Sequence, residues 1–127
     1  MEVRIYYEDT DAGGVVYYAN YLRYFERGRT EYLRDRGLSV SDLAARGCIF
    51  PVVRVEADYR APARHDDLLR IETEVLEVGK TAFTVGQQAV RDLDGKVLVD
   101  ARVTLVCVSP QMKPKRLPEE LLQALAE

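Results

Sequence analysis

The sequence predicts an α+β fold in which one long helix lies against a five-stranded antiparallel sheet. Three observations carry this expectation. From about Tyr17 to Arg36, aromatic residues recur at helical spacing on one face. After Pro51 the chain changes to period-two alternation, the pattern of strands. Short turn signals, Gly79-Lys80 and Asp94-Gly95, separate the strands, and consecutive hairpins build an antiparallel sheet.

Each element has its own reason. Val3, Ile5 and Tyr7 alternate with Arg4 and Tyr6, which predicts a short strand entering the acidic loop that holds Glu8, Asp9 and Asp11. In the long helix, Tyr17, Tyr18, Tyr21, Tyr24, Phe25, Gly28 and Tyr32 share one face, with Arg23, Arg27, Thr30, Glu31 and Arg34 opposite. Gly28 costs about 1 kcal/mol in a helix interior, so its place on the apolar face predicts close packing on a sheet. Gly37 is a natural stop. Ser39 and Ser41 can cap a short helix over Asp42–Arg46, closed by Gly47.

Four strands follow. Val53, Val55, Ala57, Tyr59 and Ala61 alternate with charged residues until Pro62 ends or bends the strand. Leu69 to Glu77 alternates again, then Thr81–Arg91 and Lys96–Val108 flank the Asp94-Gly95 hairpin. Pro110, Pro114 and Pro118 bracket a basic connector with Lys113, Lys115 and Arg116, and Glu119–Ala126 reads as a short terminal helix. The helix stripe needs an apolar partner, and the sheet face is the one large enough. Without repeats or linkers, residues 1–127 are expected to form one domain, able to bury roughly two-thirds of the unfolded surface.

Composition narrows the function classes. A net charge of −3 gives no electrostatic case for nucleic acid. Glu2 and Arg4 interrupt any N-terminal apolar run, and no stretch is long enough to span a bilayer, so a cytoplasmic protein without membrane insertion is expected. Cys48 and Cys107 lack metal-like spacing and are expected as buried thiols in a reducing compartment. One histidine, His65, and two separated cysteines make a zinc site or a nucleophilic triad a poor fit, and no metal site is expected. No glycine-rich loop has dinucleotide or Walker spacing.

The chemistry concentrates between Tyr6 and Glu26. A carboxylate such as Asp11, a few residues ahead of a helix start, can act as base or nucleophile, while free amides of the first turn hold developing negative charge. Gly13 and Gly14 let backbone come close to a ligand. A polar turn with an N-cap would use the same residue types, so spacing alone leaves both readings open.

The order of residues adds to this. Tyr-x-Asp-Thr-Asp-x-x-Gly-Val-Val-Tyr, followed by Ala-Asn-Tyr and Tyr-Phe-Glu, resembles the opening of the hot-dog acyl-CoA thioesterases, most closely the 4-hydroxybenzoyl-CoA type and its Tol–Pal-associated relatives. The resemblance implies a hot-dog fold and hydrolysis of acyl-CoA, with coenzyme A arriving as part of the substrate and no separate cofactor. It implies that Asp11 is the catalytic carboxylate and that the backbone N–H of Tyr18 holds the thioester oxygen. Many members have His where this chain has Tyr18. Tyr7, Gly14, Val16, Tyr17 and Asn20 are expected to contact substrate. The motif assigns no cations for the coenzyme A phosphates; by location in strand ends, turns and the basic connector, Arg60, Arg64, Lys80, Lys113, Lys115 and Arg116 are candidates, with Arg60, Lys115 and Arg116 expected to bind. The resemblance further implies a homodimer or tetramer with the site between subunits. The rival reading is a non-hydrolytic hot-dog module that binds acyl-CoA or acyl carrier protein.

Overall fold

A computed structural model describes residues 1–127. Five strands form one sheet: β1 (Glu2–Arg4), β2 (Val52–Tyr59), β3 (Leu68–Val78), β4 (Ala82–Arg91) and β5 (Val97–Val106). Three helices accompany it: α1 (Asn20–Arg34), α2 (Val40–Ala45) and α3 (Glu119–Leu125). The spatial order is β1-β3-β4-β5-β2, and every neighbouring pair is antiparallel. This is the expected hot-dog arrangement, with α1 lying on one face of the sheet.

The central hairpins form as expected. The β3–β4 turn is closed by the Gly79 N–H on the Ala82 carbonyl at 2.7 Å, and Gly95 takes a positive φ of 70° in the β4–β5 turn. The link between β2 and β3 differs from a hairpin. β2 pairs with β5, with Val55 opposite Val103 and Ala57 opposite Ala101, and residues 60–67 cross the sheet to reach β3, which lies between β1 and β4. Pro62 lacks an N–H, and the crossing segment finds other partners instead of turning back. The Ala63 carbonyl accepts from Val16 N–H, while Ile5 bonds Asp66 and Asp67.

Two further boundaries depart from the sequence expectation. The first strand stops at Arg4, because the Asp9 carboxylate accepts the Tyr6 N–H at 2.8 Å and tightens Tyr7–Asp9 into a 3₁₀ turn. The long helix begins at Asn20 rather than Tyr17. Tyr17 N–H is drawn to the Asp9 carbonyl at 3.0 Å, which holds Tyr17 and Tyr18 outside the helix and leaves both exposed.

Within the helix, Tyr21, Tyr24, Phe25, Gly28 and Leu33 are the buried residues. The sheet presents Leu69 and Ile71 from β3, Phe83, Val85, Gln87 and Ala89 from β4, and Val99, Ala101, Val103 and Leu105 from β5. The close approach expected at Gly28 is present: an added Cβ would stand 2.7 Å from Ile71 Cγ2 and 3.1 Å from Gln87 Nε2. Gln87 is 1% exposed and divides the apolar core in two. Its Nε2 donates to the Phe25 carbonyl at 2.9 Å and to Thr73 Oγ1 at 3.0 Å, and its Oε1 accepts from Arg29 at 3.1 Å. All its polar atoms are therefore engaged, which is what makes a buried amide tolerable.

Cys48 and Cys107 are buried and free, as expected. Burial, then the neighbouring Cys48, pushes the Cys107 thiol up to about 11. Cys107 should not react with an aromatic disulfide reagent at pH 8 until the protein unfolds, since it is buried and the thiolate is the nucleophile. Rapid labelling of Cys107 in the folded protein would contradict this packing. Gly28→Ala gains about 1 kcal/mol in helix propensity but forces an overpacked contact that typically costs about 1–3 kcal/mol. The expected net result is a lower melting temperature; a rise would show that the helix can lift from Ile71.

Candidate active site

The acidic loop is shaped by its own hydrogen bonds. Asp11 N–H reaches the Val15 carbonyl at 2.9 Å, and Gly14 N–H reaches the Asp11 carbonyl at 3.0 Å. Asp11 Oδ1 accepts the Gly13 N–H at 2.8 Å, which fixes one carboxylate oxygen. Gly14 sits at φ 79°, a conformation that a side chain would resist. A bridge between Thr10 and Val16 closes the loop, and a second between Val15 and Arg64 ties it to the crossing segment.

The loop is then fastened to the helix start. The Asp9 carbonyl accepts from both Tyr17 N–H and Asn20 Nδ2, at 3.0 and 2.9 Å. Beneath it the Tyr24 hydroxyl is buried without a hydrogen-bond partner. Burial raises the Tyr24 phenol, and the nearby Asp9 carboxylate adds to the rise. Tyr18 N–H lies just ahead of the helix and has no backbone acceptor within the chain. The amide therefore stands two residues before the first helical residue, not inside the first turn.

Asp11, Val15, Val16, Tyr18, Tyr21 and Tyr59 line a depression of about 310 Å³, completed by Arg60, Ala61 and Pro62. Tyr59 donates its hydroxyl to the Tyr18 carbonyl at 3.2 Å and packs edge-on against the rings of Tyr18 and Tyr21. Burial raises the Tyr59 phenol, and Tyr18 adds to it. Tyr21 is also raised by burial, against a hydrogen bond to the Ala63 backbone that lowers it. The phenols are thus neutral walls, and Asp11 is the acidic group on the depression.

Asp11, Tyr18, Val16 and Arg60 meet here. Gly14 belongs to the supporting loop and Asn20 to the helix start that anchors it, and neither lines the wall. Tyr17 stacks at a tilt on Tyr18, with ring centroids 5.0 Å apart, and Tyr7 stands 80% exposed against His65. Arg60 is occupied by Asp100 at 2.9 Å. Lys115 and Arg116 are elsewhere in the same subunit: Lys115 Nζ reaches the Gly47 carbonyl at 3.4 Å, and its N–H pairs with Cys107. Sequence reasoning passed over Tyr59, Ala61 and Pro62 as site walls. Tyr59 reads as one more apolar position in an alternating strand, and no local signal places that strand end beside Asp11.

Asn20→Ala should cost about 1 kcal/mol in stability, as a typical side-chain hydrogen bond does. The Thr10–Val16 segment should lose protection from hydrogen exchange well beyond that global change, because its anchor on the helix is gone. Unchanged exchange in that segment would mean that Tyr17 alone holds Asp9.

Residues 6–125 match the family model of the thioesterase-like superfamily. The chain is 45% identical over 121 residues to the acyl-CoA thioester hydrolase YbgC of Escherichia coli, covering 94% of this chain and 90% of that one. It is 45% identical over 124 residues to the acyl-CoA thioesterase YbgC of Haemophilus influenzae, covering 96% and 90%. Among solved structures, a probable thioesterase from Bartonella henselae superposes with a TM-score of 0.88 at 37% identity, covering 93% of this chain and 97% of that one. Slr0204 of Synechocystis, a 1,4-dihydroxy-2-naphthoyl-CoA thioesterase, shares the fold at a TM-score of 0.93 and 24% identity, covering 100% and 94%. Given this agreement of fold, loop and sequence along nearly the whole chain, the protein belongs to the thioesterase-like superfamily, in the company of the YbgC acyl-CoA thioesterases.

Proposed function

We propose that this protein hydrolyses acyl-CoA thioesters to the free acid and coenzyme A, with Asp11 acting on the carbonyl or on water and the Tyr18 amide polarising the thioester oxygen. The observation that carries this reading is that one small depression is lined both by the exposed Asp11 and by Tyr18, a residue ahead of the helix whose backbone N–H has no backbone acceptor in the chain. A thioester suits so sparse a site. Its leaving thiol has a pKa of about 8.5, so departure does not demand a dedicated acid. One carboxylate oxygen is held by Gly13, and the other is left for the reaction. The helix dipole and the free amide favour negative charge on the carbonyl oxygen as the tetrahedral carbon forms. The chemistry needs no further cofactor, and the reading places the enzyme in the cytoplasm.

Assembly belongs to the same proposal. β2 is an edge strand with Val53 and Val55 exposed, and a bare apolar edge needs a cover. Antiparallel pairing of β2 with its two-fold mate would extend the sheet across two subunits. It would set the Tyr59 end of one strand beside the Val52 end of the other, so the Asp11 depression would border the partner. We take the dimer as the unit of the site and a pair of dimers as the full assembly.

Asp11→Asn should keep the fold and lower kcat by roughly 10³-fold, within the range of acid–base and nucleophilic contributions. A folded Asp11→Asn protein that turns over acyl-CoA at the parent rate would remove Asp11 from the mechanism. Tyr18→Phe should leave kcat nearly intact, because the proposed donor is the backbone; a tenfold loss at unchanged melting temperature would assign the phenol a role instead. Light scattering at micromolar concentration should find an even-numbered oligomer, and an active monomer would rule out the shared site.

A further inference from the structure

The apolar core contains a second opening. Between α1, α3 and the helix-facing side of the sheet lies a cavity of about 100 Å³. Its apolar walls include Leu33, Phe83, Val85, Leu105, Leu121 and Leu125, all buried. Its polar rim is Glu26, Arg29, Thr30 and Thr73. None of these residues lines the Asp11 depression of the same subunit.

Arg29 is the unusual member. It donates to Gln87 Oε1 at 3.1 Å. It makes no ion pair within the chain. The adjacent carboxylate, Glu26, accepts from Thr30 Oγ1 at 3.1 Å instead. Burial lowers the Arg29 guanidinium, with Glu26 opposing the shift, so the cation is partly stripped of water without an anion bound to it. A guanidinium carries five donors in a planar fork that fits a carboxylate. Apolar walls, in turn, offer a cluster of waters too few partners. A cation at the rim of an apolar hole calls for one kind of occupant, an anion with a hydrocarbon tail.

We propose that this cavity binds a small linear monocarboxylate, its carboxylate on Arg29 and its alkyl chain among Leu33, Phe83, Val85, Leu105, Leu121 and Leu125. Free acids of this class are also what thioester hydrolysis releases. The site would therefore sense product, although the binding proposal stands on the cavity and does not depend on the role of Asp11. Taking about 30 Å³ as the share of one water-sized group, the cavity holds a tail of roughly three or four carbons before α3 must move.

The test is a titration of the full-length protein, with labelled leucine and valine methyls, using acetate, butanoate, hexanoate, 1-hexanol and hexylammonium. Butanoate and hexanoate should shift the Val85, Leu121 and Leu125 methyls saturably. Affinity should rise about fourfold per methylene and then level off near the length that fills the cavity. Hexanol and hexylammonium should bind far more weakly. Arg29→Met should weaken hexanoate binding by roughly tenfold or more, and Arg29→Lys by less, since it keeps the charge but loses the fork. Asp11→Asn should leave these shifts unchanged. The proposal is overturned by no saturable shift at millimolar hexanoate, by hexanol or hexylammonium binding as tightly as hexanoate, or by shifts confined to Val15 and Val16. Folded Arg29 variants that bind like the parent would overturn it as well. Should Arg29→Met fail to fold, the ligand comparison on the parent protein decides alone.

Discussion

The architecture depends on how closely α1 lies on the sheet at Gly28. The absent side chain there lets Ile71 and Gln87 come under the helix axis, and Gln87 then reaches the Phe25 carbonyl. This buried amide is satisfied at both ends, so it fixes the helix in rotation and in position along the sheet at little net cost. Apolar packing alone would tolerate sliding; a hydrogen bond to a particular carbonyl does not. The position of the helix start, and with it the Tyr18 amide and the Asn20 side chain, follows from this anchor a few turns away.

From the helix start, order passes to the loop through the Asp9 carbonyl. Two donors from the Tyr17–Asn20 turn converge on that oxygen, and the Thr10–Val16 bridge carries the constraint to Asp11. Asp11 itself remains exposed, as the proposed role requires. The carboxylate is held by its surroundings rather than buried by them. Such an arrangement keeps a carboxylate accessible while limiting the conformational freedom it would lose on meeting a ligand.

Much of this was legible in the sequence, for identifiable reasons. Gly28 on an apolar helix face announced close packing, because a glycine so placed is otherwise a net cost. Asp94-Gly95 and Gly79 marked turns whose backbone demands are strict. The loop motif carried the family. Other features left no local trace. Alternation along β2 shows a strand but not its neighbour, so its pairing with β5 and the crossing at residues 60–67 were invisible. Gln87 sits on an inward position of its strand, where a polar residue reads as an interruption until Phe25 and Arg29 arrive from elsewhere in the chain. The helix starts three residues later than the aromatic spacing predicts, because the Tyr17 N–H is committed to the Asp9 carbonyl and holds Tyr17 and Tyr18 outside the first turn.

The crossing segment has a consequence for how this fold can diversify. Residues 60–67 run across the sheet from the edge strand β2 to β3 and supply Arg60, Ala61 and Pro62 to the depression, while their backbone anchors Val16 and Ile5. Support thus comes from main-chain atoms, and the surface offered to a ligand comes from side chains. Of the lining positions on this stretch, Pro62 sets the backbone with its ring, so Arg60 and Ala61 are the two whose side chains can change the wall of the depression while the main-chain bonds to Val16 and Ile5 stay in place. On the proposed reading of the depression, selection for a new acyl group therefore has two neighbouring positions on which to act, set apart from the buried amide and the helix packing.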